Sequence, residues 1–129
     1  KMVAEGAGAV SVAAAMFGKV PVKGRKAVCI VSGGNIDVTI LNRVINRGLA
    51  KSGRSCTFTV ELEDKPGQLV GVSQIVASMG GNVVSVHHER NDDAARVTAC
   101  QLRIKVETRD EQHIEEIRKA LTDNGFKVN

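Results

Sequence analysis

The sequence contains neither tryptophan nor tyrosine and only three phenylalanines. Any hydrophobic core must therefore be built mainly from Val, Ile, Leu and Ala side chains. There are only three cysteines, Cys29, Cys56 and Cys100, and they lie far apart in apolar stretches. Because an odd and dispersed set argues against a disulfide framework, we expect a reduced, cytoplasmic protein.

Long apolar runs are also missing. No stretch reaches the roughly 18 apolar residues that a transmembrane helix needs, so we expect no membrane partner. Residues 1–18 contain small apolar residues, as a signal peptide would, but Glu5, Gly6 and Gly8 interrupt the apolar stretch and argue against that interpretation. The chain begins with Lys1 and runs straight into apolar sequence, which suggests a piece of a longer protein.

The charge is distributed unevenly along the chain. Residues 1–55 hold nine Lys or Arg and two Asp or Glu, a net charge of +7, whereas residues 56–129 hold nine and twelve, a net charge of −3. The first half is rich in Gly and Ala, and the second is rich in β-branched residues. This change predicts two domains, residues 1–54 and residues 55–129.

The first half has the pattern helix, strand, glycine loop, helix. Residues 9–17 favour a helix, and apolar residues recur at helical spacing from residue 38 to residue 49. Residues 27–31 form a continuous apolar run, which is typical of a parallel strand buried on both faces. Because a single strand has no hydrogen-bonding partner, we expect most of this domain to lie outside the chain.

The loop Ser32-Gly33-Gly34-Asn35 follows the predicted strand, at the place where open α/β sheets bind ligands. Glycine allows a ligand to approach the backbone closely, and the N-terminus of the following helix favours negative charge. The spacing alone fits a ligand site and a simple tight turn equally well.

The second half has the pattern βαββαβ. The predicted elements are a strand at 56–62, a helix at 69–79, strands at 83–90 and 97–106, a helix that begins with a capping box at 108–111 and carries Ile114, Ile117 and Leu121, and a short strand at 126–128. This order predicts an α+β fold, the ferredoxin-like unit with two helices on one face of a sheet.

Alternation within the strands assigns their faces. Phe58, Val60 and Leu62 share one face of the first strand, and the apolar residues from Cys100 to Val106 share one face of the third. In the second strand His88 shares a face with Val84 and Val86, whereas His87 points the other way. Since the two histidines cannot bind one ion together, we predict no metal site.

Two motifs resemble a known family. Residues 4–9 (AEGAGA), followed by residues 31–37 (VSGGNID), resemble the end of the catalytic domain in fold-type II pyridoxal-phosphate lyases such as threonine dehydratase (threonine ammonia-lyase). Residues 46–54 resemble that family's connection to its regulatory domain. Residues 56–129 resemble an ACT domain, with residues 64–69 (DKPGQL) matching its first strand-to-helix loop. The resemblance covers essentially the whole chain, and the motifs in this order are more specific than any one alone.

The resemblance implies a parent enzyme that uses pyridoxal phosphate to deaminate L-threonine to 2-oxobutanoate and ammonia. Ser32 would face the pyridine nitrogen of the cofactor, and Glu5 and Gly33 would line the same pocket. The alternative for Glu5 is a solvated carboxylate at a helix entry. The Schiff-base lysine lies upstream in this family, so we expect no catalytic residue, no bound cofactor and no activity in the present chain.

The resemblance also implies an amino-acid effector site between paired ACT domains, with isoleucine or valine as effector in the regulation of isoleucine biosynthesis. It would join the first strand-to-helix loop of one copy to the start of the second strand of its neighbour, namely Asp64, Gly67, Gln68 and Leu69 with Asn82 and Val83. Alternatively, Asp64 only caps a helix and Asn82 only closes a turn, and the domain is an oligomerisation scaffold without a ligand.

Two further expectations concern macromolecular partners. We expect a homodimer or higher oligomer, because one layer of helices on a small sheet buries a limited core. RNA-recognition domains share the βαββαβ order, but they stack bases on aromatic side chains of the central strands. The outward positions here hold no aromatic residue and this half is net acidic, so we predict no nucleic-acid partner.

Overall fold

A computed structural model of the chain describes residues 2–90 and 99–129. The elements in these segments are helix α1 (Val10–Met16), helix α2 (Val38–Lys51), strand β1 (Ser55–Glu63), helix α3 (Gln68–Ser78), strand β2 (Asn82–Arg90), strand β3 (Ala99–Glu107), helix α4 (Glu111–Asp123) and strand β4 (Lys127–Val128). The chain separates into two compact units, Lys1–Ile45 and Asn46–Asn129, which divide inside α2. The boundary predicted from composition lies nine residues later, after Arg54 instead of after Ile45.

The first unit contains α1 and the beginning of α2, so both helices predicted there are confirmed. Asp37 provides the start of α2, since its Oδ1 accepts hydrogen bonds from the backbone N–H groups of Thr39 (2.7 Å) and Ile40 (3.3 Å). The hydroxyl of Thr39 also donates to this carboxylate and is the main reason that the pKa of Asp37 lies below its usual value.

The strand predicted at residues 27–31 is not formed, and this prediction is wrong for the present chain. Val28 and Ile30 are 93% and 78% exposed instead of being buried on both faces. The physical reason is the absence of a partner: among residues 2–45 the structure contains no second strand, so this backbone has nothing with which to form a ladder.

The second unit is built on a four-stranded antiparallel sheet with the strand order β2-β3-β1-β4. Together with α3 and α4 it has the βαββαβ order, so the predicted α+β class is confirmed and the topology is compatible with a ferredoxin-like domain. The predicted third strand includes residues 97 and 98, which lie outside the described residues. Strand β4 pairs with β1 through only two residues, Val128 and Lys127, and β2 forms the other, longer edge.

The core of this unit lies between the sheet and the two helices. All the inward residues predicted for β1 and β3 are buried. They pack against apolar residues of the two helices, and the resulting cluster is Phe58, Val60, Leu62, Val72, Val76, Cys100, Leu102, Ile104, Val106, Ile117 and Leu121. The face of the sheet away from the helices is polar.

Strand β2 departs from simple alternation at its start. Its register against β3 shifts between Val83 and Ser85, which marks a β-bulge. Val83 packs against the core, whereas Val84 is half exposed. We predicted that Val84 shares the face of Val86, but Val83 is the residue that packs against the core. The bulge inserts one extra residue into β2, and this insertion shifts the alternation of the residues before it.

Helix α4 begins differently from the predicted capping box. Its N-cap is Asp110, whose side chain accepts a hydrogen bond of 2.8 Å from the backbone N–H of His113. Thr108, the predicted cap, donates instead to the carbonyl oxygen of Gly53, and its backbone N–H donates to that of Arg54 at 3.1 Å. Two hydrogen bonds from Thr108 therefore connect the end of the α2–β1 connection to the segment that precedes α4.

His113 is 1% exposed and joins three parts of the second unit. Its Nδ1 accepts a hydrogen bond of 3.1 Å from the backbone N–H of Arg109, so the hydrogen is on Nε2, which lies 2.9 Å from the carbonyl oxygen of Met79. The imidazole ring of His113, which belongs to α4, is therefore hydrogen-bonded to a backbone carbonyl at the end of α3 and to a backbone N–H group in the segment that precedes α4.

Candidate functional site

The residues predicted to line a cofactor pocket lie together in the first unit, although they are far apart in the sequence. The backbone N–H of Glu5 donates to the carbonyl oxygen of Gly33 at 3.1 Å. Gly33 has a φ of +79°, and a Cβ at this position would collide with the Glu5 carboxylate. A Cβ at Gly8 would collide with the Ser32 carbonyl oxygen. Both segments therefore require glycine for this close approach, which places the exposed Ser32 side chain beside them.

In the second unit, the loop predicted to bind an effector connects β1 to α3. Gly67 is the N-cap of α3 with a φ of +91°, so Asp64 is not the N-cap residue of this helix. Gln68 and Leu69 form its first turn, where backbone N–H groups lack intrahelical partners and favour an anion. Lys65 is paired within this connection: its ammonium lies 2.6 Å from the Glu63 carboxylate, and this hydrogen bond raises the pKa of the lysine.

The other predicted effector residues lie at the opposite end of the sheet. Asn82 pairs in register with Glu107, which pairs with Ser55 at the start of β1, whereas the loop follows Glu63 at the end of β1. Eight residues of strand correspond to about 26 Å. Within one chain, Asn82 therefore cannot approach the loop. Its side-chain amide instead donates to the Glu107 carboxylate at 2.8 Å.

Among the described residues of the second unit, the surface includes two shallow depressions. One, of about 430 Å³, lies on the polar face of the sheet and is lined by Thr57, Ser85, His87, Glu89, Arg103 and Lys105. The other, of about 400 Å³, is lined by residues of α3 and the C-terminal segment, including Phe126. Neither contains a predicted effector residue. The lining of the first contains no Phe, Tyr or Trp, and the imidazole of His87 is its one aromatic ring.

A group that was not predicted from the sequence includes the first residue of the loop predicted to bind an effector. Asp64, His88 and Cys100 offer a carboxylate oxygen, an imidazole nitrogen and a thiol sulfur that all lie within 4.8 Å of one another. As predicted, His87 and His88 lie on opposite faces, since His87 lines the polar depression. The prediction of no metal site considered only these neighbours in sequence. The signal that it overlooked is strand register, which brings His88 near Cys100.

Two residues of β1 have shifted pKa values. Burial raises the pKa of the Cys56 thiol, which disfavours the reactive thiolate. The hydrogen bond of 2.9 Å from the Lys127 ammonium holds the pKa of the Glu61 carboxyl below its usual value, and Asn129 donates a second bond at 3.2 Å. The contacts of Lys127 and Asn129 with Glu61 join the β4 edge to β1.

The second unit is thus a small α+β unit with one helix-covered sheet face, and the first unit contains a glycine loop that lies against the Glu5 segment. No protein-family model matches the sequence. The L-threonine ammonia-lyase of Thermotoga maritima is 45% identical over 128 residues, which are 99% of this chain and 32% of that protein. The L-threonine ammonia-lyase of Geobacter sulfurreducens is 37% identical with the same coverage of both chains, 99% and 32%.

The chain is therefore homologous over its length to a part of threonine dehydratase (L-threonine ammonia-lyase), and the predicted resemblance to that enzyme is confirmed. It spans about a third of the length of these curated relatives. Among solved structures, protein BT0572 from Bacteroides thetaiotaomicron matches with 27% identity, 57% coverage of this chain, 44% coverage of that chain and a TM-score of 0.43. At that TM-score the fold assignment rests on the strand order alone. Among the described helices, none has both the length and the apolarity that crossing a membrane requires.

Proposed function

We propose that this chain is the C-terminal, regulatory part of a threonine dehydratase, with a remnant of the catalytic domain at residues 1–54 and an ACT domain at residues 55–129. The parent enzyme would deaminate L-threonine to 2-oxobutanoate and ammonia in the cytoplasm. The observation that carries the proposal is the match of 99% of the chain to two L-threonine ammonia-lyases. The βαββαβ unit supports the regulatory assignment, since it is a compact unit separate from the residues of the catalytic remnant.

The first unit supports the catalytic part of the proposal. Ser32 and Gly33 lie against the Glu5 segment, and Gly8 and Gly33 leave no room for a Cβ at this contact. Pyridoxal phosphate, when bound to the parent, supplies the electron sink for elimination. Ser32 would face its ring nitrogen with a hydroxyl. The exposed Val28 and Ile30 are apolar side chains that the remainder of a catalytic domain would cover.

The second unit would bind isoleucine or valine between two copies. The loop from Asp64 to Leu69 would receive the effector carboxylate at the start of α3, and Asn82 of a neighbouring copy would complete the site. Because these two parts lie at opposite ends of one sheet, only a second chain can bring them together. Strand β2 is a nine-residue edge strand that begins with Asn82, so edge pairing offers a route to that dimer. Effector binding would shift the parent between states of different activity.

The test is a series of thermal melts and calorimetric titrations of the 129-residue chain with isoleucine, valine, leucine, threonine and serine. An effector at about 100 times its dissociation constant adds about 2.7 kcal/mol of stability. Asn82→Ala should abolish that ligand-induced shift, whereas Gln74→Ala, an amide on the exposed side of α3, should leave it unchanged. Sedimentation at each ligand concentration would follow dimer formation.

A ligand-free oligomerisation scaffold is the second candidate, and the long β2 edge favours it as well. This candidate predicts a dimer that persists on dilution and flat melts with every amino acid. A selective shift with one amino acid that Asn82→Ala removes would exclude it. Flat melts together with a stable dimer would exclude the sensor.

A further inference from the structure

Three side chains with different donor atoms meet at one end of the sheet in the second unit. The carboxylate of Asp64, the imidazole of His88 and the thiol of Cys100 have ligand atoms that lie within 4.8 Å of one another. Among the described residues, these are the three potential metal ligands that the fold brings together. Asp64 and His88 are exposed, whereas Cys100 is 2% exposed. The group is thus open to solvent on one side and closed by the core on the other.

Strand register explains why these residues meet. Cys100 of β3 lies opposite Leu62 of β1 and opposite Arg90 of β2. Asp64 follows Leu62 by two residues and His88 precedes Arg90 by two. Because side chains alternate with a period of two along a strand, His88 projects toward the helix-covered face where Cys100 lies. Asp64 is the first residue after β1, and its carboxylate lies within 4.8 Å of both. The site is therefore formed by two neighbouring strands and by the first residue of the β1–α3 loop.

The donor set selects the class of ion. Thiolate and imidazole together favour zinc over magnesium or calcium, which prefer oxygen ligands. Zinc bonds of about 2.0–2.3 Å in a tetrahedron place neighbouring ligand atoms about 3.3–3.8 Å apart. The observed separations of up to 4.8 Å therefore require movements of about 1 Å, which the exposed side chains of Asp64 and His88 can make by rotation.

We propose that Asp64, His88 and Cys100 form a three-ligand site for a zinc ion, with the fourth position open to water or to a small carboxylate ligand. In the ion-free state Cys100 Sγ donates a weak hydrogen bond of 3.5 Å to the carbonyl oxygen of Leu62. Binding would replace the thiol proton by the metal ion, and that proton would be released to solvent. This inference does not rest on the proposed effector site, although Asp64 belongs to both.

The competing explanation is structural. Cys100 packs as a small apolar residue in the core, and register alone would bring His88 near it without any ligand. The two explanations differ in what happens when zinc is offered to the reduced chain, and the sequence contains well-matched control residues. His87 is the strand neighbour of His88 on the opposite face, and Cys29 and Cys56 are the other thiols.

The experiment is titration of the reduced, amino-acid-free 129-residue chain with Zn²⁺ against a chromogenic chelator, together with Co²⁺ as a spectroscopic substitute. We expect one ion per chain, a thiolate-to-cobalt charge-transfer band and proton release on binding. His88→Gln should weaken zinc binding by more than about tenfold, because loss of even an outer-sphere partner typically costs 10- to 100-fold. Asp64→Asn should act in the same direction, and His87→Gln should change the affinity less than about twofold.

Thiol assignment uses the double variant Cys29→Ser/Cys56→Ser, which should keep the cobalt band, and Cys100→Ser, which should lose it. If Cys100→Ser fails to fold, His88→Gln and Asp64→Asn still decide the question, since both change exposed side chains. The proposal is overturned by absence of stoichiometric binding, by a cobalt spectrum without the thiolate band, or by equal weakening in His87→Gln and His88→Gln. Because no amino acid is present, failure of this test leaves the effector titrations unaffected.

Discussion

Gly81 lies between α3 and β2, where addition of a single methyl group should destabilise the second unit. A Cβ at this position would lie 2.9 Å from Cγ1 of Val76, 2.9 Å from Cγ1 of Val106 and 3.2 Å from Cδ1 of Ile117. All three side chains are completely buried, so none can turn aside into solvent. Forcing an extra methyl group into such a site costs about 1–3 kcal/mol.

A smaller effect opposes this cost. Replacing glycine by alanine restricts the unfolded chain and stabilises the folded one by about 0.4–1 kcal/mol. We therefore expect Gly81→Ala to lower the free energy of unfolding by about 1–2 kcal/mol. For a unit of this size that corresponds to a fall in Tm of about 4–16 °C. Urea denaturation followed by circular dichroism would give the free energy, and calorimetry would give Tm.

The matched control is Gly48→Ala, the same chemical change inside α2, where a Cβ would meet nothing within 4 Å. That variant should be as stable as the parent chain or gain up to about 1 kcal/mol through helix propensity. In a double-mutant cycle, Val106→Ala should reduce the cost of Gly81→Ala, because it removes one of the two clashing methyl groups. A Gly81→Ala variant that melts at or above the parent temperature would refute the packing described for this corner of the core.

Three other substitutions test the second unit. His113→Ala should cost about 2–4 kcal/mol, since it leaves a cavity and two backbone groups without their partner, and urea midpoints would measure it. Thr108→Val should cost about 1–3 kcal/mol by leaving the Gly53 carbonyl oxygen without its hydroxyl partner, with Thr108→Ser close to the parent in the same assay. Glu61 has a folded pKa below its usual value of about 4.3, so its favourable contact with Lys127 is fully present above that pH and is lost as the pH falls through the folded pKa. The free energy of unfolding of Glu61→Gln should therefore decrease less than that of the parent chain as the pH is lowered.

The controls for these variants lie nearby. Gln112→Ala, an exposed neighbour of His113 in α4, should change stability by less than about 0.5 kcal/mol. Equal losses for Gln112→Ala and His113→Ala would contradict the bridging role of the imidazole. A Thr108→Val variant as stable as the parent would show that the α2–β1 connection is not fastened through this hydroxyl. If Glu61→Gln loses as much stability as the parent chain when the pH falls, the contact between Glu61 and Lys127 does not stabilise the β4 edge.

Much of the second unit could be predicted from local pattern. The alternation of Phe58, Val60 and Leu62 gives a strand with one buried face whatever its neighbours, because the period of two is a property of the extended backbone. The helical spacing in residues 69–79 works in the same way with a period of 3.6. Gly80 and Gly125 follow the apolar stripes of α3 and α4 and have positive φ angles, which is typical of glycine at the end of a helix.

Prediction failed where two local signals competed or where a distant partner was needed. Thr108 and Asp110 are both good N-cap residues, and the selection of Asp110 follows from the bond that Thr108 makes to Gly53, far away in the sequence. The bulge at Val84 likewise depends on the register against β3. The apolar run at 27–31 has the composition of a strand, but composition cannot supply the neighbour that a strand requires.

The sequence by itself determined the βαββαβ order, the buried faces of its central strands and the relation to threonine dehydratases, because periodicity and motifs are properties of contiguous residues. Tertiary structure alone decided which residues meet. It joined Glu5 to Gly33, separated Asn82 from the loop at Asp64, and brought Asp64 to His88 and Cys100. These outcomes depend on strand order and register, which arise from hydrogen bonds between segments distant in the chain and cannot be derived from either segment alone.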